Sequence, residues 1–293
     1  MTVCRYPLFH AAAVTLGLAA FLAVLPAAAR ADEPKRGLLG LWNATAELGY
    51  VVTGGNTSTS TFSLGTTFIR KWDKDALIFK TFILRGNAAT TTKTAVGTET
   101  DYVVEETRTS TLVAENYLLS GQYDHNLAKK VVLQVGLSWD RNRFAGVESR
   151  GLLTAGTGYA WVDTKKTHFK MDAGLTYTLR KYIGVPATSF AGFRGIAGFD
   201  QKILDNSLFA SQFIFDDNLK KPVDWRYDWT SSVSAAISKG LALKASVRLL
   251  YAHLPANQPV PLFDPDGTNT GLTVPVPLKG LDTFFTTSVV INF

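Results

Sequence analysis

The chain has 293 residues and a net charge of +6, with 46% hydrophobic and 18% charged residues. Its basic side chains are scattered and never cluster in a tract, which argues against nucleic-acid binding. Beyond the N-terminal segment, no stretch of about 18 apolar residues occurs, so the composition excludes a helical membrane span.

The N-terminal segment has the features of a secretory signal peptide. Arg5 supplies a positive charge, residues 11–25 form a short apolar run, and Ala29 and Ala31 offer small residues at a cleavage site. We therefore predict a cleaved signal peptide over residues 1–31. An uncleaved N-terminal anchor is the alternative interpretation.

Cleavage would remove the only cysteine, Cys4, and lower the net charge to about +4. The mature protein is then expected to have no disulfide bond, so its stability must come from its fold. Because alternation of apolar and polar residues begins at Leu41, we interpret residues 32–40 as a short periplasmic segment.

From Leu41 onward, apolar and polar residues alternate with the period of two that is typical of β-strands. The clearest segment is 167–182, where one face is apolar and the other carries four ionisable groups. About twelve such segments follow one another along the chain. The predicted strands are 41–53, 57–72, 76–86, 109–124, 130–141, 149–162, 167–182, 190–203, 207–216, 225–238, 241–253 and 281–293.

The predicted connections alternate between short turns and longer polar loops. The short ones are 73–75, 124–129, 163–166, 204–206 and 239–240. The longer ones are 87–108, 140–148, 183–189, 217–224 and the Pro-rich 254–280, and only the tight Gly54–Asn56 hairpin breaks the trend. Short turns on one rim and longer loops on the other are typical of outer-membrane barrels.

Alternation alone would also fit a soluble β-sandwich, which is the alternative fold. Two features favour a membrane barrel: the polar faces are rich in Gly, Ser and Thr, and the aromatic residues concentrate near strand ends, as in interfacial girdles. Those near the short turns are Trp42, Trp72, Tyr123 and Trp161, and those near the long loops are Tyr50, Trp139, Trp225, Tyr227 and Tyr251.

We therefore predict an all-β fold, a closed antiparallel up-and-down transmembrane β-barrel of about 12 strands over residues 41–293. The expected location is the bacterial outer membrane, with its lipid and lipopolysaccharide as surroundings. Closure should pair the last strand, 281–293, with the first, 41–53, because an open strand edge is not tolerated in a bilayer. The terminal Phe293 resembles the C-terminal aromatic by which the barrel-assembly machinery recognises its substrates, and we predict that role for it.

Three stretches carry a resemblance to a known family. They are AELGYVVTGGNTSTSTFSLG (46–65), DRNRFAGVESRGLLTAGTGYAW (140–161) and MDAGLTYTLRKY (171–182). The chain resembles the family of salt-induced outer-membrane proteins, in which a Gly-Asn hairpin follows the first strand. That family also has an Asp-x-x-x-Phe-x-Gly-x-x-x-Arg stretch before a Gly-rich strand, here Asp140, Phe144, Gly146 and Arg150, followed by Gly156, Gly158 and Tyr159. The resemblance implies an envelope location and no mechanism.

Charged residues on the polar faces are the first candidate site, because they would line the barrel lumen. They are either a polar conduit whose charges set solute preference or a salt-bridged plug that neutralises buried charge. The twelve candidates are Glu47, His168, Lys170, Asp172, Arg180, Arg194, Asp200, Arg226, Asp228, Lys244, Arg248 and Asp282.

Catalytic and metal sites are not expected. His253 falls on the lipid-facing register, but no serine stands near it in the pattern that a membrane-embedded hydrolase needs. Asp264 and Asp266 lie beside Gly267, yet the spacing and closing glutamate of a calcium loop are missing. We predict no enzyme activity, no metal and no cofactor.

The function predicted from sequence is a monomeric, narrow, porin-like channel for small polar solutes or ions. The main alternative is a structural or interaction barrel with a filled lumen, acting through its extracellular loops 87–108 and 254–280. A lipid-facing hydrolase is a third, formal alternative.

Overall fold

The computed structural model describes residues 41–53, 57–97, 102–143 and 145–293. The predicted signal peptide over 1–31, the segment 32–40 and the 54–56 hairpin lie outside these residues. No helix in the described part of the chain has the length and apolarity needed to cross a membrane.

The described residues form fourteen β-strands. Twelve of the fourteen correspond in order to the predicted strands, and most of their ends agree within two residues. The strands are β1 (Trp42–Thr53), β2 (Thr57–Trp72), β3 (Asp75–Gly97), β4 (Tyr102–Ala128), β5 (Val131–Asn142), β6 (Val147–Asp163), β7 (Thr167–Tyr182), β8 (Thr188–Leu204), β9 (Ser207–Asn218), β10 (Arg226–Ser238), β11 (Leu241–Ala252), β12 (Asn257–Phe263), β13 (Asn269–Pro277) and β14 (Leu281–Asn292).

Twelve strands close into one antiparallel barrel. Strands β1 to β11 pair in chain order, and β14 completes the cylinder between β11 and β1. The prediction of a closed up-and-down β-barrel is confirmed, and the sandwich alternative is wrong. We call the end with short turns, such as 129–130 and 239–240, the turn end, and the opposite end the loop end.

The apolar residues of the strands face outward. In β5, Leu133, Val135 and Leu137 are 44%, 51% and 64% exposed, whereas Gln134 between them is 7% exposed. This is the reverse of a soluble protein, in which the apolar face of a sheet is buried. The barrel therefore presents a continuous apolar outer wall and keeps its polar side chains inside.

Exposed aromatic rings lie near both ends of the outer wall. Trp72 and Trp161 are at the turn end, and Tyr50 and Trp139 are at the loop end. At the turn end, the Arg70 guanidinium lies 5.7 Å from the Trp72 ring centre. Rings in such positions suit interfaces between an apolar layer and water.

The connection predicted as a loop over 87–108 is largely strand, which corrects the sequence interpretation. Strands β3 and β4 pair from Asp75 and His125 at the turn end to Gly97 and Tyr102, well past the ends of their neighbours. The extension is rich in threonine, which favours strands, but its apolar residues do not alternate with polar ones.

The connection predicted as a loop over 254–280 also contains regular structure. Strands β12 and β13 form a separate two-stranded sheet outside the barrel. Prolines stand opposite one another there, at Pro259 and Pro275. Each strand of a two-stranded ribbon has one unpaired edge, and proline is tolerated there because it has no N–H to donate.

The barrel seam joins β14 to β1 as predicted. Its register pairs Thr45 with Asn292 and Leu48 with Val289. Beyond the last paired residue, the Phe293 N–H donates to the Ala44 carbonyl at 3.0 Å. The C-terminal residue is thus held by the first strand.

Candidate functional site in the barrel lumen

The structure places the twelve predicted charged residues on the inward face. Strand β7 shows the pattern, since the inward Lys170, Asp172 and Arg180 alternate with the exposed Met171 and Leu175. The charges fall into two groups along the barrel axis, one towards each end.

At the loop end, one aspartate joins two arginines from neighbouring strands. Asp216 on β9 accepts from Arg194 Nε at 2.6 Å and from Arg226 Nη2 at 2.8 Å. Both guanidinium groups use two nitrogens on this carboxylate, which is the geometry that makes such pairs strong and directional. The cluster ties β8, β9 and β10 together across the inner wall.

Three further Arg–Asp pairs surround this cluster. Arg248 donates to Asp228, with 2.8 Å between Nε and Oδ1, and the predicted lumen residue Asp282 lies within electrostatic range of Arg248. Arg180 donates to Asp224, with 2.6 Å between Nη2 and Oδ2. The side chains of Arg180 and Arg248 are 13% and 17% exposed in these pairs.

The third of these pairs joins the two ends of the family motif. Arg150 on β6 lies opposite Asp140 on β5, with 2.6 Å between Nη2 and Oδ1. Asp140 and Arg150 lie on either side of the β5–β6 connection, so the motif spacing brings its charged ends together inside the barrel. Phe144 of the motif lies outside the described residues.

The turn-end group contains lysines in place of arginines. Lys170 pairs with Asp172 at 2.7 Å, and Lys244 pairs with Glu47 at 3.2 Å. Lys80 faces the same region, within electrostatic range of Asp124 and both other lysines.

The two remaining predicted residues, His168 and Asp200, also lie towards the turn end. His168 contacts Asp163 at 2.9 Å and stands opposite Asp200 in the β7–β8 register.

Several lumen residues were missed by the sequence interpretation. Asp216 lies in the ninth predicted strand, one of the least regular, and Asp224 lies in a connection rather than a strand. Arg150 was used only in the family motif, and Asp140 was placed on the polar face of the fifth predicted strand without being chosen as a lumen residue. The side of the sheet on which Lys80 lies was ambiguous from the sequence. The signal that could have indicated a further acidic residue is the excess of six predicted lysines and arginines over five predicted aspartates and glutamates.

Glycines on β6 leave room for these charges. A side chain at Gly158 would meet Lys170 Cε at 2.6 Å and collide with the Asp172 carboxylate. The neighbouring Gly156 instead faces backbone, because a Cβ there would lie 2.6 Å from the Gly174 Cα. Only the first glycine makes space for lumen side chains, and the second allows two strands to approach closely.

His253 lies in an aromatic stack on the outer wall at the loop end. Its ring is 5.0 Å from that of Trp225 at an interplanar angle of 12°, and its Nδ1 is 3.4 Å from the Tyr251 hydroxyl. The surroundings are those of an interfacial aromatic cluster. The prediction that the chain is not an enzyme stays a prediction.

The aspartates near Gly267 are held within their own turn. Asp266 Oδ1 accepts from the Thr268 N–H at 2.9 Å, and this hydrogen bond holds the pKa of Asp266 below its usual value. Gly267 has a φ of 87°, which favours glycine. Within the described part of the chain, no group of three or more potential metal-binding side chains converges.

A recess opens in the loop-end lumen among these ion pairs. It encloses about 300 Å³ of space, part of it open to solvent, and it is lined by both charged and neutral groups from β6 to β10. Among its lining residues are Arg150, Arg180, Asp224 and Phe190. The lumen thus contains a defined site as well as a charged wall.

The sequence comparison identifies the family. Residues 46–261 match the family described as "Protein of unknown function, DUF481". The chain belongs to this family. Its matched region runs from β1 into β12 and so includes both arms of the Asp140–Arg150 pair. The family resemblance inferred from sequence is confirmed, whereas nothing in the match bears on salt induction.

Solved structures similar to this DUF481 chain are outer-membrane barrels of low sequence identity. The NanC porin has a TM-score of 0.44 at 10% identity, covering 85% of this chain and 100% of the porin. The COG4313 outer membrane channel from Pseudomonas putida F1 has a TM-score of 0.47 at 8% identity, covering 89% and 99%. The anion-selective porin from Comamonas acidovorans has 0.38 at 10%, covering 86% and 99%. No curated protein matches the sequence.

Proposed function

We propose that this DUF481 protein is an outer-membrane β-barrel that passes small polar solutes or ions through a narrow lumen. The location is supported by the closed barrel, which leaves no open strand edge, and by the exposed apolar outer wall. Fractionation of cells should recover the mature chain, without residues 1–31, in the outer membrane.

The observation that carries the channel proposal is the partial exposure of the paired arginines at the loop end. Arg194, Arg226 and Arg248 are paired with aspartates, yet their side chains keep 17–23% exposure inside a closed cylinder. A plug that only neutralises buried charge would be expected to exclude water from its ion pairs. Partly wet pairs instead offer donors and acceptors that replace the hydration of a passing solute.

Planar bilayers test this proposal directly. Purified wild-type protein should give discrete conductance steps, and Arg248→Gln should shift ion preference towards cations, since it leaves Asp228 unpaired. The swap Arg248→Asp with Asp228→Arg keeps a diagonal ion pair between β10 and β11 and serves as the matched control. Silence of the folded wild-type protein at all voltages would refute passage.

A second function is favoured by structure outside the barrel. The β3–β4 extension and the β12–β13 sheet are ordered features at the loop end, where an extracellular partner would first meet the protein. An interaction barrel would keep its cellular role when conductance is absent and lose it when these two features are removed. Comparing conductance-deficient and loop-shortened variants in cells separates the two functions.

The remaining expectations accompany this proposal. We expect a monomer, assembled by the barrel-assembly machinery through β14, and no catalytic activity. Size-exclusion chromatography with light scattering in detergent tests the first expectation. Phospholipid hydrolysis that is lost in His253→Ala would overturn the last.

A further inference from the structure

Two arginines face each other directly on the inner wall of the recess. Arg150 on β6 and Arg180 on β7 are register partners. Like charges directly opposite on neighbouring strands destabilise a sheet unless other groups neutralise them. Asp140 neutralises the first and Asp224 the second, each at 2.6 Å.

The two aspartates do not satisfy either guanidinium completely. Arg150 Nη1 and Arg180 Nε are buried and lack a hydrogen-bond acceptor among the described residues. A buried donor without an acceptor costs about 1–3 kcal/mol, and more for a charged group. Both side chains line the same recess, so a ligand bound there could supply the missing acceptors. Guanidinium groups are suited to carboxylates in particular.

The other groups that line the recess further restrict the chemical class of the ligand. Asp216 and Asp224 also border the recess, and their charges would repel a second negative charge on the ligand. Carboxylates left at the edge can, however, accept hydrogen bonds from a hydroxyl group of the ligand. The hydroxyls of Thr176 and Thr178 add further partners. A single carboxylate with a hydroxyl group fits this combination.

The recess is also built to hold its shape. The Arg180 guanidinium lies over the rings of Tyr182 and Phe190, at 4.6 and 5.0 Å from their centres. Its partner Asp224 is held by the Asn218 side-chain amide at 3.0 Å, and Asn218 is 5% exposed. Preformed sites lose less conformational entropy on binding. The recess is small and partly open to the lumen, so the ligand is small.

We propose that the recess between Arg150 and Arg180 is a binding site for small hydroxy-monocarboxylates. The proposal rests on the function proposed above, because it places the site on the solute path. The carboxylate binds the two free guanidinium donors, and the hydroxyl group donates to an aspartate of the recess. Binding must remain weak, since a solute that passes must also leave.

The test uses lactate as the probe and propionate, which lacks the hydroxyl group, as its matched analogue. In planar bilayers, lactate should interrupt the current of the wild-type protein, and propionate should do so severalfold less effectively. The variant Arg180→Gln with Asp224→Asn removes one ion pair without changing the net charge, and it should abolish the lactate effect. Lys181→Gln removes the neighbouring charge on the outer face of β7 and should leave the effect unchanged.

Calorimetric titration of lactate into the folded protein in detergent separates the two proposals. Conductance without lactate binding would overturn the site and leave the channel in place. Lactate binding that the Arg180→Gln, Asp224→Asn variant loses, without conductance, would support the site and overturn the passage of solutes. Equal effects of lactate on wild type and on that variant would also overturn the site, and native mobility in unheated gels verifies that the variant is folded.

Discussion

Lys244 on β11 reaches across the C-terminal strand to Glu47 on β1, with 3.2 Å between Nζ and Oε1. Glu47 is 2% exposed, which makes it one of the most deeply buried side chains of the described residues. The strand between them is β14, whose Ser288 and Val290 are the register partners of Lys244 and Glu47. The ion pair therefore bridges the seam at which the barrel closes.

Breaking this pair should destabilise the barrel. Lys244→Met leaves the Glu47 charge buried without its partner, and the loss of one member of a buried pair costs about 3–5 kcal/mol. The double variant Lys244→Met with Glu47→Gln should recover part of that loss, since no unpaired charge remains. Urea unfolding in detergent, followed by tryptophan fluorescence, measures the free energy of unfolding of the single and the double variant.

The matched control is the exposed pair Lys93–Glu106 on the β3–β4 extension, whose side chains are 59% and 55% exposed. Lys93→Met should cost no more than about 1 kcal/mol, because solvent screens such pairs. Equal losses of unfolding free energy in Lys244→Met and Lys93→Met would contradict a special role for the seam pair.

Deleting Phe293 should impair assembly of the barrel. The deletion removes both the aromatic ring and the N–H that donates to the Ala44 carbonyl. Phe293→Ala keeps that hydrogen bond and removes only the ring, so it isolates recognition of the aromatic residue from closure of the seam. Quantifying folded protein in outer-membrane fractions compares the two. Normal levels of the deletion variant would contradict the predicted role.

The contact between β6 and β7 should not tolerate a side chain at Gly156. A Cβ there would lie 2.6 Å from the Gly174 Cα and closer still to the Ala173 carbonyl oxygen. Gly156→Ala should therefore destabilise the barrel by about 1–3 kcal/mol, as other overpacking substitutions do. Gly151→Ala is the control on the same strand, since a Cβ at Gly151 meets nothing within 4 Å. Urea unfolding midpoints should fall only for the first variant.

Removing the β12–β13 sheet should leave the barrel folded. The sheet is separate from the barrel, and the Leu278 N–H donates to the Ala256 carbonyl at its base. Replacing residues 258–276 with a short Gly-Ser linker keeps that base. Circular dichroism and slow mobility in unheated gels should remain those of a barrel. Loss of both would show that the sheet is needed for folding.

The strands themselves were predictable because alternation is a local property. Strand β7 has the same ends in the structure as in the prediction, since its apolar outer face contrasts with charged inner residues. The extension of β3 and β4 was not predictable in this way. It leaves the barrel, so neither face has to be apolar, and the period of two disappears.

The candidate site was predictable only as a list of inward charges. Alternation places Arg194 and Arg226 on the inner face, but it does not say that both meet Asp216. Asp224 lies in a connection, where no periodicity indicates its direction. Its pairing with Arg180 depends on how the 219–225 connection turns back over the lumen.

The sequence by itself determined that this chain forms strands with one apolar face, how many of them there are in the barrel, and that the last closes against the first. Those properties follow from the order of apolar and polar residues along each segment. Only the tertiary structure decided which charges pair, and that Arg150 and Arg180 stand together with donors left over. Pairing depends on the register between strands and on closure of the cylinder, which bring together residues far apart in the chain.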